Sequence, residues 1–206
     1  MEYLVTMTTR VPDDASDADV QDVRTREAAR SRELAAQGHL LRLWRPPLKP
    51  GEWRTLGLFA SDDAAQLEEV LASMPLRVWR SDQVTPLSPH PNDPARQADK
   101  RGSLAPDGEG SEFLTTFAVT VPMGTPVETV DATNAREADS ARALADQGHL
   151  LRLWRLPGEG SALGLWKAHH TDEMQAILAS LPLIAWMSVQ TTPLTPHPSD
   201  PAHTIS

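Results

Sequence analysis

The chain has 206 residues, 40% of them hydrophobic, which suits one large domain or two of about 100 residues each. A net charge of −9 leaves no basic footprint for a nucleic acid, and no apolar run approaches the ~20 residues that span a bilayer. The absence of cysteine rules out disulfides, thiolate nucleophiles and zinc–thiolate sites, and Met1–Pro12, with acidic Glu2 and threonines, does not read as a signal peptide, so a cytoplasmic protein is expected.

In chain order, Tyr3–Arg10 alternates as a strand does, and Val11-Pro-Asp-Asp14 ends it. Ser16 caps a helix, with Asp19 three residues on, and Gly38 supplies its left-handed stop after Gln37. His39–Arg45 is a second strand, Pro46–Trp53 a loop and Thr55–Ala60 a third strand. Ser61 caps a shorter helix that ends at Met74-Pro75, and Leu76–Val84 is a fourth strand. The prolines at 86, 89, 91 and 94 mark a tail that is not expected to continue a ladder. The order is β-α-β-β-α-β, the ferredoxin-like arrangement, with one sheet face covered by helices and one bare.

The same string then recurs. Gln37-Gly-His-Leu-Leu-Arg-Leu-Trp-Arg45 returns unchanged at Gln147–Arg155, and the offset of 110 residues (147 − 37) holds back to Val11-Pro12 and Val121-Pro122. Beyond that block the offset is 107 (192 − 85), as in Thr85-Pro-Leu-Ser-Pro-His-Pro-Asn-Asp-Pro-Ala95 against Thr192-Pro-Leu-Thr-Pro-His-Pro-Ser-Asp-Pro-Ala202. Residues 1–95 and 112–206 therefore form two copies, joined by a polar linker at 96–111. In the second copy Thr125, Pro126 and Glu128 predict a stronger helix cap than in the first. Each bare sheet face needs cover, so the two α+β repeats are expected to pack sheet to sheet as an intramolecular pseudo-dimer of the dimeric α/β-barrel type, with further homo-oligomerisation left open.

The first helix places Val20, Glu27 and Leu34 seven residues apart, flanked by Val23 and Ser31, so Glu27 sits on the apolar stripe. Val130, Glu137 and Leu144 repeat this. A half-buried carboxylate has a raised pKa and suits a general acid or base near neutrality; the competing reading is a helix-edge glutamate that reaches water or pairs with an arginine. On the second strand His39, Leu41, Leu43 and Arg45 share one face, and Leu40, Arg42 and Trp44 the other; the sequence leaves open which one meets the helices. Arg45 and Arg155 suit capture of a carboxylate, or a salt bridge to Glu27 or to a linker acid. His39 and His149 are candidate substrate contacts or hydrogen-bonded strand-start residues, and His90 and His197 are candidate lid residues or plain loop histidines. His169-His170 reads as a capping or surface pair. No HxH, HExxH, GxGxxG, P-loop or GxSxG pattern is present, so no metal or nucleotide is expected.

Met7-Thr8 before Val11-Pro12, the helix bearing Glu27, Gly38 with Leu43-Trp44-Arg45, Met74-Pro75-Leu76 and the closing His90-Pro91 together resemble the muconolactone Δ-isomerase family over nearly all of each copy. The resemblance implies a cofactor-free, oligomeric enzyme of aromatic catabolism with a small-molecule substrate, here as a tandem fusion. It implies a 1,3-proton shift in an unsaturated lactone: a base removes the γ-proton, a dienolate forms, and the proton returns at the α-carbon. Glu27 and Glu137 take the family's acidic position as bases, and Arg45 and Arg155 would hold the substrate's carboxylate. The copies depart from the family at Leu4, Thr6, Leu114 and Thr116, where it has histidine and lysine, and at Leu40 and Leu150, where it has tryptophan. These departures suggest a larger, greasier substrate of secondary metabolism, such as a polyketide-like skeleton undergoing isomerisation, cyclisation or dehydration. The competing reading is a non-catalytic small-molecule binder or assembly module. The longer loop of the first copy, with Trp53 and Arg54, predicts that the first pocket is the more active.

Overall fold

A computed structural model describes residues 1–96 and 110–203, so most of the expected linker lies outside the described residues. The first repeat runs β1 (Glu2–Thr9), α1 (Asp17–Ala36), β2 (Leu40–Arg45), β3 (Arg54–Ala60), α2 (Ala64–Ala72), a 3-10 turn Pro75–Trp79, and β4 (Arg80–Pro89). The second repeats the order as β5 (Ser111–Val119), α3 (Val127–Asp146), β6 (Leu150–Arg155), β7 (Ser161–Ala168), α4 (Thr171–Ala179), a 3-10 turn Ile184–Trp186, and β8 (Met187–Pro196).

Two compact units result, and their boundaries do not fall at the linker. One combines Met1–Leu87 with the tail from Thr195; the other is built from the described residues between Ser88 and Leu194. Each unit is thus the body of one repeat plus the terminal segment of the other. In the first unit the antiparallel order is β4-β1-β3-β2, and the end of β8 adds Thr195 opposite Arg45 and Pro196 opposite Trp44. In the second unit the order is β8-β5-β7-β6, and Ser88 and Pro89 pair with Arg155 and Trp154.

β1 buries Tyr3, Val5, Met7 and Thr9, the alternate residues that face the helices. Val23, Ser31 and Leu34 are the buried stripe of α1, and Thr133, Ala141 and Leu144 that of α3. Burying a side chain such as Leu34, which is 0% exposed, contributes about 1.5–3 kcal/mol. Gly38 (φ 77°) and Gly148 (φ 79°) end the long helices in the left-handed region, as expected.

Several expectations fail at the element ends. The prolines do not stop β4, which continues through Pro86 to Pro89. Its long pairing is with β1 alone, so a missing N–H on the other side breaks no ladder there. Leu76 begins no strand, because Pro75–Trp79 forms a 3-10 turn. Asp63 rather than Ser61 caps α2 through the Gln66 N–H. The first long helix has the full capping box, Ser16 with Asp19, whereas α3 has Pro126 at its cap and no side-chain cap; the Thr125 hydroxyl donates to the Pro122 carbonyl instead. Among the described residues no helix is long and apolar enough to cross a membrane.

Candidate functional site

Each unit holds a cavity between its long helix and its sheet. The first, about 290 Å³, is lined by residues including Met7, Thr9, Arg24, Glu27, Leu43, Arg45, Trp53, Leu76 and Arg80, and by His197, Pro198 and Ser199 from the far tail. The second, about 520 Å³, is lined by residues including Phe117, Asn134, Glu137, Leu150, Leu153, Arg155, Trp166 and Leu183, and by His90, Pro91 and Asn92. Glu27 and Glu137, Arg45 and Arg155, and His90 and His197 are therefore brought together, one of each per cavity.

The two glutamates share a backbone anchor. Glu27 Oε2 accepts the Leu76 N–H at 2.8 Å and Glu137 Oε2 accepts the Leu183 N–H at 3.0 Å, both donors lying at the start of a 3-10 turn. Loss of solvation raises both carboxyl pKa values, and the backbone N–H bonds oppose that rise.

Their surroundings then diverge. Arg80, whose side chain is 2% exposed, sends Nη1 to Glu27 Oε1 at 3.2 Å and Nη2 to Asp82 Oδ2 at 3.0 Å. Its Nε stands 2.7 Å from Asp82 Oδ1, an ion-pair contact whose angle is poor for a hydrogen bond. Arg77 closes the cluster by bridging Asp82 at 2.5 Å and Glu68 at 2.6 Å. The Arg80 charge lowers the Glu27 pKa against the larger effect of burial. At the 107-residue offset the second repeat has Ile184, Met187 and Val189 in place of Arg77, Arg80 and Asp82. Among the described residues no charged group contributes to the Glu137 shift. Arg80 was not singled out by the sequence; its substitution by methionine in the other copy was the available signal.

The tails close the cavities through buried ion pairs that the sequence reading also missed. Arg42, on the strand face opposite Leu41, reaches Asp200 through Nε at 3.1 Å and Nη2 at 3.0 Å, and Asp200 Oδ1 also accepts the Leu43 N–H at 3.0 Å. Arg152 and Asp93 repeat this at 3.2 and 3.3 Å, with the Leu153 N–H at 3.1 Å. Arg42 and Arg152 each stack 4.8 Å from the ring centre of the nearby tryptophan, Trp44 or Trp154. Asp200 follows His197 by one turn and Asp93 follows His90 in the same way, so the pins hold the histidines in place.

His90 Nδ1 accepts the Asn92 N–H and His197 Nδ1 the Ser199 N–H, each at 3.1 Å, which leaves Nε2 as the protonated nitrogen of a neutral ring. Burial lowers both pKa values, as do Arg155 and Arg45 respectively, and His197 falls to about 4.

Other candidates lie elsewhere. His39 and His149 line neither cavity; their Nδ1 atoms sit 3.0 Å from the Ala60 and Lys167 carbonyls, the arrangement of hydrogen-bonded strand-start residues. Leu4, Thr6, Leu114 and Thr116 also line neither cavity, because alternation puts them on the other sheet face from Met7 and Phe117. The greasier substrate inferred from them loses that support. His170 caps α4 by accepting the Glu173 N–H, as expected.

Comparison with known proteins agrees with this layout. A muconolactone delta-isomerase family model matches residues 1–93 and again 111–200. Muconolactone Delta-isomerase 1 of Acinetobacter lwoffii is 37% identical over 42% of this chain and 91% of its own length. In fold, the chain resembles a heme-binding protein from Thermus thermophilus (TM-score 0.60, 11% identity, 97% of this chain and 93% of that one). It also resembles chlorite dismutase from Candidatus Nitrospira defluvii (TM-score 0.54, 11% identity, 95% and 91%). At such identities the likeness is one of fold, the mixed α and β architecture of dimeric α+β barrel proteins. The family model spans both repeats, and the chain belongs to the muconolactone delta-isomerase family.

Proposed function

We propose that the chain is a cofactor-independent isomerase that shifts a proton in an unsaturated lactone or related carbonyl compound, and that the second cavity carries the turnover. The observation that supports this best is Glu137: a half-buried carboxylate with a raised pKa, one backbone hydrogen bond and, among the described residues, no ion-pair partner. Such a group is basic enough to take a carbon-bound proton that an adjacent carbonyl acidifies, and acidic enough to return it. Glu137 removes the γ-proton, the electron pair moves into a dienolate, and the carboxyl, whose proton exchanges with solvent, delivers a proton to the α-carbon. No oxidant or reductant is consumed. Arg155, on the same cavity wall, pairs with a carboxylate on the substrate. His90 presents its Nε2–H as a neutral donor and, with Asn92, closes the cavity over the substrate. The two repeats act as ferredoxin-like halves of an internal pseudo-dimer.

The first cavity supports a different reading. Glu27 is tied to Arg80, so taking a proton must disturb an ion pair. Arg24 and Arg45 line the same small space, Arg24 stacked 4.5 Å over Trp53. We assign it to binding an anion, which reverses the ranking expected from loop length. The test is deuterium wash-in from D2O into muconolactone, followed by NMR. Glu137→Gln should cut exchange by about 10²–10⁴-fold, and Glu27→Gln by less than about twofold. Equal losses would overturn the division of labour, and full exchange in the double variant would overturn the carboxylate mechanism.

A further inference from the structure

Resting on the isomerase reading, we propose that the indole N–H of Trp166 is the hydrogen-bond donor that receives the enolate oxygen in the second cavity. Trp166 lines that cavity and is 2% exposed, yet its Nε1 has no acceptor among the described residues. A buried donor left without an acceptor is costly and rare, and a ligand oxygen is one of the few things that justifies it.

The local sequence is arranged around this ring. Trp166 lies over Gly164, two residues back on the same strand face; a Cβ built there would stand 2.2 Å from Nε1. Phe117 meets the indole edge to face, with ring centres 6.1 Å apart at 64°, which fixes the ring plane. The 107-residue offset places Phe59 and Gly57 at the corresponding positions of the first repeat, where the ring has no N–H to offer. That strand position thus carries an N–H in the second repeat and not in the first, and the glutamate of the second cavity has no ion-pair partner among the described residues. A base and a neutral donor in one enclosed space are the two parts an enolate-forming step needs. The donor stabilises the oxygen as charge arrives, without acidifying the base as a nearby cation would.

The test uses the tetronate anion, a five-membered lactone enolate that is ionised at neutral pH, with the full-length Glu137→Gln chain so that no carboxylate charge opposes binding. Indole N–H signals are followed by ¹⁵N NMR, and the Trp166 signal is identified by its loss in Trp166→Phe. That variant carries the residue the first repeat already accommodates over its own glycine. The Trp166 signal should move downfield on tetronate addition, and Trp166→Phe should weaken tetronate binding by at least about tenfold. In the otherwise native chain, Trp166→Phe should lower kcat for deuterium wash-in by up to about 10²-fold with a smaller change in KM. An unmoved Trp166 signal, undiminished tetronate affinity in Trp166→Phe, or no tetronate binding in the second cavity would each overturn the assignment. Failure of the isomerase reading looks different: wash-in would then be absent in the native chain while the indole still responded to tetronate.

Discussion

Removing the carboxylate of Asp200 should be among the most damaging single changes in the first unit. The Arg42 and Asp200 side chains are 1% and 0% exposed, and Asp200 accepts from Arg42 Nε and Nη2 and from the Leu43 N–H. Asp200→Ala removes a carboxylate from a buried guanidinium and the acceptor from a strand N–H, which costs about 3–5 kcal/mol. With a urea m-value of roughly 2.5 kcal/mol/M, the unfolding midpoint of the first unit should fall by about 1–2 M. Asp200→Asn keeps an acceptor for Leu43 and should lose visibly less. The matching pair, Arg152 with Asp93, is slightly more open at 9% and 3%, so Asp93→Ala should fall toward the low end of the range. Equilibrium unfolding followed by circular dichroism provides the assay. A midpoint shift below about 0.4 M for Asp200→Ala, or equal losses for Ala and Asn, would refute the idea that this ion pair fastens the tail.

Stability should respond to pH through the same cavities. The folded Glu137 carboxyl holds its proton to higher pH than the unfolded one, so its contribution is full below the ordinary value of 4.5 and is lost as pH rises through the folded pKa. Glu137→Gln should therefore match the native chain in acid and melt at a higher temperature at pH 7. Glu27→Gln should gain less, because it removes a partner of Arg80. His197 has the opposite sign: with a folded pKa of about 4 against 6.5, its contribution is full above pH 6.5 and disappears as pH falls to about 4. After allowance for solvent screening that amounts to roughly 1–2 kcal/mol, and His197→Phe should flatten this part of the acid-denaturation curve. Gly164→Ala would force the Trp166 ring from its place, so a loss of about 1–3 kcal/mol is expected, together with a change in indole fluorescence.

Helical spacing located the two glutamates, and with them the cavities, because a seven-residue step keeps a side chain on the face that meets the sheet. Strand spacing served less well. The register of β2 shifts between Leu40 and Arg42, so strict alternation misplaces neighbours: Arg42, Leu43 and Trp44 are all buried. Arg42 on a buried face demanded a carboxylate, but that carboxylate is 158 residues away in sequence, in a tail whose prolines argued only against a continued ladder. The repeat itself held the missing signal. Both tails keep Asp-Pro-Ala and both strands keep arginine, a pairing of opposite charges that fits a contact between them. Arg80 and Trp166 were legible in the same way, as places where two otherwise parallel copies differ in charge or in a single N–H.

The exchanged tails put inheritance and chemistry out of step. The wall of the second cavity at His90 and Asn92 is encoded with the first repeat, and the wall of the first cavity at His197 and Ser199 with the second. Were two identical chains to pair by such an exchange, any change in a tail would reach both sites at once and evolve under both demands. Fusion releases that coupling. A substitution at His90 is felt by the cavity of Glu137 alone, and a premature stop before His197 would cripple the cavity of Glu27 while sparing the other. Sites assembled from distant stretches of one gene drift apart independently, so a single lineage can keep one reaction while trying out a second ligand.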